Sequence, residues 1–170
     1  LGQICQVALK NDRNLPVTGT ANWDYVRRQL SRIVARTATT VTISPGLLFD
    51  LPADLAPVLR PGGRYSEGVG IEDLTVDGTN STMSRGLVLM STSAGCWMKN
   101  VTLQKAERYI CVIDGSLQCE VRHCCLRQAK NPAGSNRGGL QMGLCCFCLV
   151  EDNIVADTFS NMEIDTSSGN

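Results

Sequence analysis

The sequence lacks an excess of charge of either sign. Its sixteen basic residues balance sixteen acidic ones, so the formal net charge of the 170 residues is zero. Proteins that bind nucleic acids usually carry a basic excess, and the balance therefore argues against a nucleic-acid partner. Hydrophobic residues make up 43% of the chain and charged residues 19%, which is typical of one globular domain and not of a disordered segment.

Long apolar runs are also missing. No run approaches the roughly 18 apolar residues that a transmembrane helix needs, so we expect no membrane span. The N-terminus, Leu1-Gly2-Gln3-Ile4, has neither the basic start nor the apolar core of a signal peptide. We expect that a signal peptide was removed or that the chain begins within a longer protein. No long stretch follows the 3.6-residue period of an amphipathic helix, which disfavours helical solenoids.

What the sequence has instead is a fourfold repeat. The repeated motif is mostly apolar at fixed places and polar between them, and its copies begin 27, 23 and 29 residues apart. A period in this range is typical of proteins built from stacked coils. The four copies are Ile71-Glu72-Asp73-Leu74-Thr75-Val76, Met98-Lys99-Asn100-Val101-Thr102-Leu103, Val121-Arg122-His123-Cys124-Cys125-Leu126 and Val150-Glu151-Asp152-Asn153-Ile154-Val155.

Each copy ends in a predicted strand, Leu74-Thr75-Val76 in the first, which is followed by a polar turn and a second apolar stretch that is also predicted to be a strand. The end of one such stretch lies eight residues before the next motif each time, from 90 to 98, 113 to 121 and 142 to 150. Length varies only in the turn before this stretch. The short, β-branched segments predict an all-β fold, a right-handed parallel β-helix of about four coils. The four second strands are Gly86 to Met90, Tyr109 to Ile113, Leu140 to Met142 and Met162 to Ile164.

Residues 1–66 differ from the repeats and predict a β-rich segment that caps or flanks the first coil, with the coils over 67–170. Gln3 to Leu9 reads as a strand, and Arg32 to Ala35 with Thr39 to Ile43 reads as a hairpin. Trp23 to Leu30 predicts a short helix, and the prolines between 45 and 61 mark a loop. Ser167 to Asn170 falls where another coil should begin, so we expect a fragment of a longer β-helix with further coils, and it stays open whether the active site lies in them.

The nine cysteines fall largely into the predicted columns. Cys96, Cys119 and Cys148 each lie two residues before a motif, with Val69 in the same column. Buried thiols that pack as small apolar groups are the favoured interpretation. The Cys145/Cys148 pair leaves redox or zinc chemistry open, although no second pair at metal-site spacing accompanies it, and a disulfide also stays open.

At Gly70-Ile71-Glu72-Asp73-Leu74-Thr75-Val76-Asp77-Gly78, and again at Leu149 to Ile154, the chain resembles the right-handed parallel β-helix proteins of the pectate-lyase-like superfamily. The resemblance covers about residues 67–170. It implies an extracellular or cell-surface protein that cleaves or binds a uronate-containing polysaccharide, with a lyase slightly preferred over a hydrolase. Calcium is an open possibility for a lyase, and no metal ligands are predicted. The alternative is a non-catalytic glycan-binding scaffold, such as an adhesin or tail-spike-like module.

Candidate site residues follow from the columns. Asp77 and Arg127 share an outward column with Gln104, and His123, the single histidine, is a candidate base, although a structural turn role is favoured for it. Tyr109 and Trp97 either stack on sugar rings or pack on the coil surface. The predicted catalytic set is Asp77, Arg127 and His123. Substrate carboxylates are predicted to meet a cationic strip, unless its members are solvated turn residues: Arg85, Arg108, Arg137 and Lys130.

Overall fold

The computed structural model describes residues 1–12, 25–83, 85–130 and 138–165. It is an all-β structure in two parts, an antiparallel sheet followed by a parallel β-solenoid of about three turns. The predicted fold class is therefore confirmed as a parallel β-helix, while its right-handedness stays a prediction.

The first part, which we call the N-terminal sheet, has the strand order β3-β2-β1-β4. The prediction of a strand at the N-terminus and of a hairpin after it is confirmed. The helix predicted over Trp23 to Leu30 is wrong for residues 27–30, which belong to β2, whereas residues 23 and 24 lie outside the described residues. The predicted loop between 45 and 63 contains a strand and a short 3-10 helix at Ala53–Leu55. The strands are β1 (Ile4–Leu9), β2 (Arg27–Arg36), β3 (Val41–Ser44) and β4 (Val58–Pro61).

The solenoid has three parallel sheets of four strands each, so a coil contributes three strands where the sequence predicted two. The missed strand covers the start of each motif. Sheet I contains β6 (Gly70–Glu72), β10 (Trp97–Lys99), β13 (Glu120–Arg122) and β16 (Leu149–Glu151). Sheet II contains β7 (Thr75–Asp77), β11 (Thr102–Gln104), β14 (Cys125–Arg127) and β17 (Ile154–Ala156). Sheet III contains β8 (Val88–Ser91), β12 (Cys111–Asp114), β15 (Gly138–Gly143) and β18 (Ser160–Asp165).

The register of the parallel pairs is that of the predicted columns. Met98 pairs with Ile71 on one side and Val121 on the other, and Leu103 pairs with Val76 and Leu126. Because the pairing is in register, equivalent side chains stack inward on one another and exclude water; Met98, Leu103 and Val121 are 0% exposed. A short segment connects sheet III to sheet I of the next coil. It includes β9 (Ser93–Ala94), which pairs with β5 (Ser66–Glu67).

The bend between sheets I and II is made by one residue per coil with a left-handed backbone. The four residues have φ between 52° and 56°, and they include His123, for which the sequence favoured a turn role. Asparagine and aspartate tolerate this conformation better than other side chains. The column is Asp73, Asn100, His123 and Asp152.

The N-terminal sheet lies along the side of the solenoid. Ile4 and Leu30 form one buried cluster with Ala94, Leu117 and Cys146, which are aligned on three successive coils. Leu30 N also donates to Cys146 Sγ at 3.2 Å. The sheet therefore contacts several coils at the connection between sheets III and I, and it brings β2 close to the outer surface of sheet III.

Candidate functional site

A groove of about 280 Å³ opens between β2 and the outer surface of sheet III. The last residues of three sheet III strands, β12, β15 and β18, contribute to its floor. Asp114, Gly143 and Asp165 are aligned there by the strand register. The full lining is Arg28, Arg85, Val112, Asp114, Gln141, Gly143, Leu144 and Asp165. Guanidinium, carboxylate and amide groups thus converge on one concave surface, as is typical of sites for polar ligands.

Backbone contacts position the arginine that the N-terminal sheet provides. Arg28 and Leu30 are two residues apart on β2, so both side chains leave the strand on the same face, the one that meets the solenoid. Arg28 Nε donates to Tyr25 O at 2.8 Å, which orients the guanidinium. The burial of Leu30 against the solenoid therefore directs Arg28 to the groove.

Arg85 reaches the groove from the turn that precedes β8. Its Nη2 lies 3.4 Å from Asp114 Oδ2, and the two side chains are 64% and 40% exposed. An ion pair this long and this exposed contributes little to stability, so its members can exchange partners at little cost. Gly143 follows Asp114 in the column, and a Cβ there would lie 3.0 Å from Asp114 Oδ1. The absence of a side chain at Gly143 leaves room for the carboxylate.

Tyr109 lies across sheet III beside this groove. Its hydroxyl donates to Glu163 Oε2 at 2.8 Å, two coils away along the sheet. Gly138 makes the crossing possible, since a Cβ there would approach the Tyr109 ring at 3.4 Å. Burial, followed by the hydrogen bond to Glu163, raises the pKa of Tyr109 to about 12, and the charge of Arg108 opposes that rise. Tyr109 is 5% exposed, which favours the packing interpretation of this ring.

The predicted catalytic residues lie on other surfaces. Asp77 is held by its neighbours: its carboxylate accepts hydrogen bonds from the amide and hydroxyl of Thr79, from Gln104 Nε2 at 2.8 Å and from Lys105 Nζ at 3.0 Å. The Thr79 contacts are the main cause that holds the pKa of Asp77 well below its usual range. Arg127 donates to Gln104 Oε1, which places the amide between Arg127 and Asp77. A saturated carboxylate of this kind is a poor base, and the catalytic roles stay predictions.

His123 lies in the bend between sheets I and II, whereas Asp77 and Arg127 lie in sheet II. Its Nδ1 lies 3.8 Å from Asp152 Oδ2, one coil away in the left-handed column. Both side chains are more than half exposed. The geometry favours the turn role for His123 and brings it to neither Asp77 nor Arg127.

The predicted cationic strip is divided. Arg85 lies in the groove, whereas Arg108 is not among the lining residues and acts on its neighbour Tyr109 through its charge. Lys130 donates to Ser81 O at 2.7 Å and lies 3.8 Å from Glu107, at the turns between sheets II and III. Arg137 lies outside the described residues.

The sequence missed Arg28, Gln141 and Asp165 as lining residues. A signal existed for Asp165. The residues that directly follow the predicted second strands, after Ile113, Met142 and Ile164, are Asp114, Gly143 and Asp165. No comparable signal exists for Arg28, whose place depends on how two separately folded sheets pack.

The prediction that the cysteine column is buried is confirmed. Cys96, Cys119 and Cys148 are 5%, 0% and 7% exposed, and none of the nine cysteines forms a disulfide. Burial raises the pKa of Cys111 to about 12, and a hydrogen bond with Cys148 raises that of Cys119. Thiols in this state are poor nucleophiles and poor metal ligands.

Within the part of the chain that the structure describes, no three His, Cys, Asp or Glu side chains come together as a metal site. Calcium takes six to eight oxygen ligands, so the described residues do not fit the calcium ion that the sequence left open for a lyase. No helix among the described residues is long and apolar enough to cross a membrane.

No family model matches the chain, and no curated protein matches it significantly. Among solved structures, it is similar to the tailspike protein gp49 from Pseudomonas phage LKA1, with 13% sequence identity and a TM-score of 0.58. The likeness is one of fold. It covers 92% of this chain and 26% of the tailspike, so the chain spans about a quarter of that protein's length. Membership of the pectate-lyase-like superfamily stays a prediction.

Proposed function

We propose that the chain is a glycan-binding β-solenoid module of an extracellular, tailspike-like protein, and that the saccharide lies in the groove between β2 and sheet III. The observation that carries the proposal is the convergence of Arg28, Arg85, Asp114, Gln141 and Asp165 on one concave surface. The fold shared with a phage tailspike supports the same class of function.

The chemistry of the groove suits sugars. Each hydroxyl of a sugar both donates and accepts hydrogen bonds, and the groove offers carboxylates as acceptors, guanidiniums as donors and the Gln141 amide as both. These groups stand on the paired strands of a sheet or next to them, so little ordering is needed when a ligand binds. The coils repeat at about 4.8 Å, which allows an extended polymer to meet equivalent positions in turn.

The two arginines, whose charges offset those of Asp114 and Asp165, are the groups of the groove that would bind an acidic sugar. A guanidinium can bind a carboxylate through two parallel hydrogen bonds. The weak contact of Arg85 with Asp114, 3.4 Å and exposed, leaves Arg85 able to turn to a ligand. Arg28 approaches from the opposite wall. We therefore expect uronate-containing polysaccharide to bind more tightly than neutral glycans.

Cleavage of the bound glycan is a second candidate, carried by the carboxylates of the same surface. Asp114 and Asp165 stand two coils apart, about 9.6 Å along the sheet. Inverting glycosidases hold their two carboxyl groups about 6.5–9.5 Å apart, just below this backbone spacing, so the two side chains would have to lean towards each other to act as a hydrolase pair.

The test is calorimetric titration with a panel of polyuronates and neutral oligosaccharides. We expect Arg85→Ala to weaken uronate binding about tenfold, the loss of one charge-assisted hydrogen-bonding group. Lys99→Ala, which removes an exposed positive charge from sheet I, is the matched control and should bind as the wild type does. Equal weakening by both variants, or no binding to any glycan, would refute the groove as the site.

The same panel separates binding from cleavage when products are followed with and without EDTA. Unsaturated products that absorb in the ultraviolet indicate β-elimination, and new reducing ends without that absorbance indicate hydrolysis. Binding without products supports the non-catalytic proposal.

A further inference from the structure

The β2–β3 hairpin extends from the N-terminal sheet with its side chains in solvent. Residues 34–42 are all exposed, among them Val34 at 46% and Val41 at 45%. The turn is nevertheless ordered by local contacts: Thr37 N donates to Thr40 O at 2.9 Å, and the Thr37 hydroxyl accepts from Thr39 N and Thr40 N. An isolated two-stranded ribbon is only marginally stable in water, so an ordered one exposed on both faces is typical of an interface.

The two edges of the N-terminal sheet are protected unequally. The edge strand β4 carries Arg60, ends at Pro61 and follows Pro57, and proline and charge are common means of blocking an edge. The other edge strand, β3, has neither within its four residues, and the eight residues 37–44 contain no charge. Among the strands that the structure describes, β3 pairs only with β2. Its outer edge is therefore a template for another strand.

An aliphatic groove of about 370 Å³ lies beside this open edge. Val41 and Ile43 of β3 form one side of it, and the loop leucines Leu47 and Leu51 form another. The complete lining is Val7, Val41, Ile43, Leu47, Leu51, Pro57, Val58 and Leu59. Leu47, Leu51 and Leu59 are 38%, 40% and 46% exposed, so the groove is an uncovered apolar surface.

Buried polar side chains fix the loop that frames the groove. Gln29 is 0% exposed, donates to Gly46 O at 2.7 Å and accepts from Leu48 N at 2.9 Å. Ser31, also 0% exposed, donates to Pro45 O at 2.9 Å. Such satisfied, buried contacts specify a single loop position. The groove is thus part of the fold, and the exposed leucines are held where they are.

We propose that β3 pairs antiparallel with β3 of a second copy of this chain, which forms one continuous sheet and places the two aliphatic grooves side by side on one face of it. Because β3 carries no charge, it offers no ion pair to a charged partner strand. The β3 strand of a second copy has the same length and the same alternation of apolar and polar side chains. A two-fold axis between antiparallel strands is isologous, so each copy covers the same strand edge of the other. Val41 and Ile43 alternate with Thr42, so in this pairing the apolar side chains of both copies share one face.

The test uses charge at Thr42, which is exposed and points away from the groove side chains. Sedimentation equilibrium of the wild type should give a concentration-dependent dimer. Thr42→Lys and Thr42→Glu place like charges near the two-fold axis, and each should weaken self-association at least about tenfold. An equimolar mixture of the two variants should restore the dimer, because the opposite charges then face each other.

Thr39→Lys is the matched control, since it adds the same charge at the hairpin turn and outside β3; it should dimerise as the wild type does. Circular dichroism of each variant checks that the sheet content is retained. A wild type that is monomeric across the concentration range overturns the proposal. So does a Thr42→Lys dimer as tight as the wild type, or a mixture that associates no better than its components.

Discussion

The contact between Tyr109 and Glu163 gives stability a specific dependence on pH. The phenol is buried and donates to a carboxylate two coils away, and its pKa of about 12 lies above the ordinary value of 10.0. A raised pKa means that the neutral phenol is favoured in the folded state. The stabilisation is therefore complete below about pH 10, where the phenol is neutral in both states, and is lost as the pH rises through 12.

The shift bounds the magnitude. Two pKa units at about 1.36 kcal/mol each limit the stability lost through pH 12 to about 3 kcal/mol, and because burial is the largest cause of the shift, the hydrogen bond to Glu163 itself provides about 1–2 kcal/mol. Tyr109→Phe removes the hydroxyl. We expect it to lower the free energy of unfolding by about 1–2 kcal/mol at neutral pH and by progressively less between pH 10 and 12.

Urea denaturation of both proteins at intervals from pH 7 to pH 12 measures this difference directly. The buried thiols also ionise on unfolding in this range, but they contribute equally to both proteins and cancel. Tyr25→Phe, which removes a phenol outside sheet III, is the control and should follow the wild-type curve. A difference between wild type and Tyr109→Phe that stays constant up to pH 12 would refute the reasoning.

Three further outcomes test the solenoid. Leu103→Ala should cost about 2–5 kcal/mol in urea denaturation, because Leu103 is 0% exposed between two coils, whereas Leu149→Ala at a 40% exposed site should cost well under 1 kcal/mol. Gly139→Ala should destabilise strongly, since its Cβ would lie 2.1 Å from a valine methyl, while Gly63→Ala, with nothing within 4 Å, should be tolerated in the same assay. The carboxyl of Asp77 should titrate in NMR below its ordinary pKa of 3.8, so any stability it provides is lost only as the pH falls below about 4.

The coil columns were predictable because the fold repeats them. An in-register parallel sheet forces equivalent positions into one environment, so Val121 could be placed inside from its spacing to Met98 alone. The strands of sheet I escaped because only two residues separate each of them from the following strand of sheet II, so each motif reads as one segment and not as two strands. The first half of β2 was mistaken for helix because its local pattern is ambiguous, and pairing with β1 decided the outcome.

The candidate site was less predictable for a related reason. Arg85 was found because it belongs to a repeated position, and Asp165 could have been found in the same way. Arg28 belongs to no repeat, and it reaches the groove only because Leu30 packs on the connection between sheets III and I. Tertiary packing between dissimilar parts leaves no periodic trace in a sequence.

The position of the N-terminal sheet has a mechanical consequence. A solenoid of stacked coils can peel from an end one coil at a time, because each coil contacts only its neighbours. Here one sheet is attached to three successive coils through Ala94, Leu117 and Cys146. Separating those coils under load would require detaching the sheet as well, so the module should yield in a single step at a higher force than bare coils would bear.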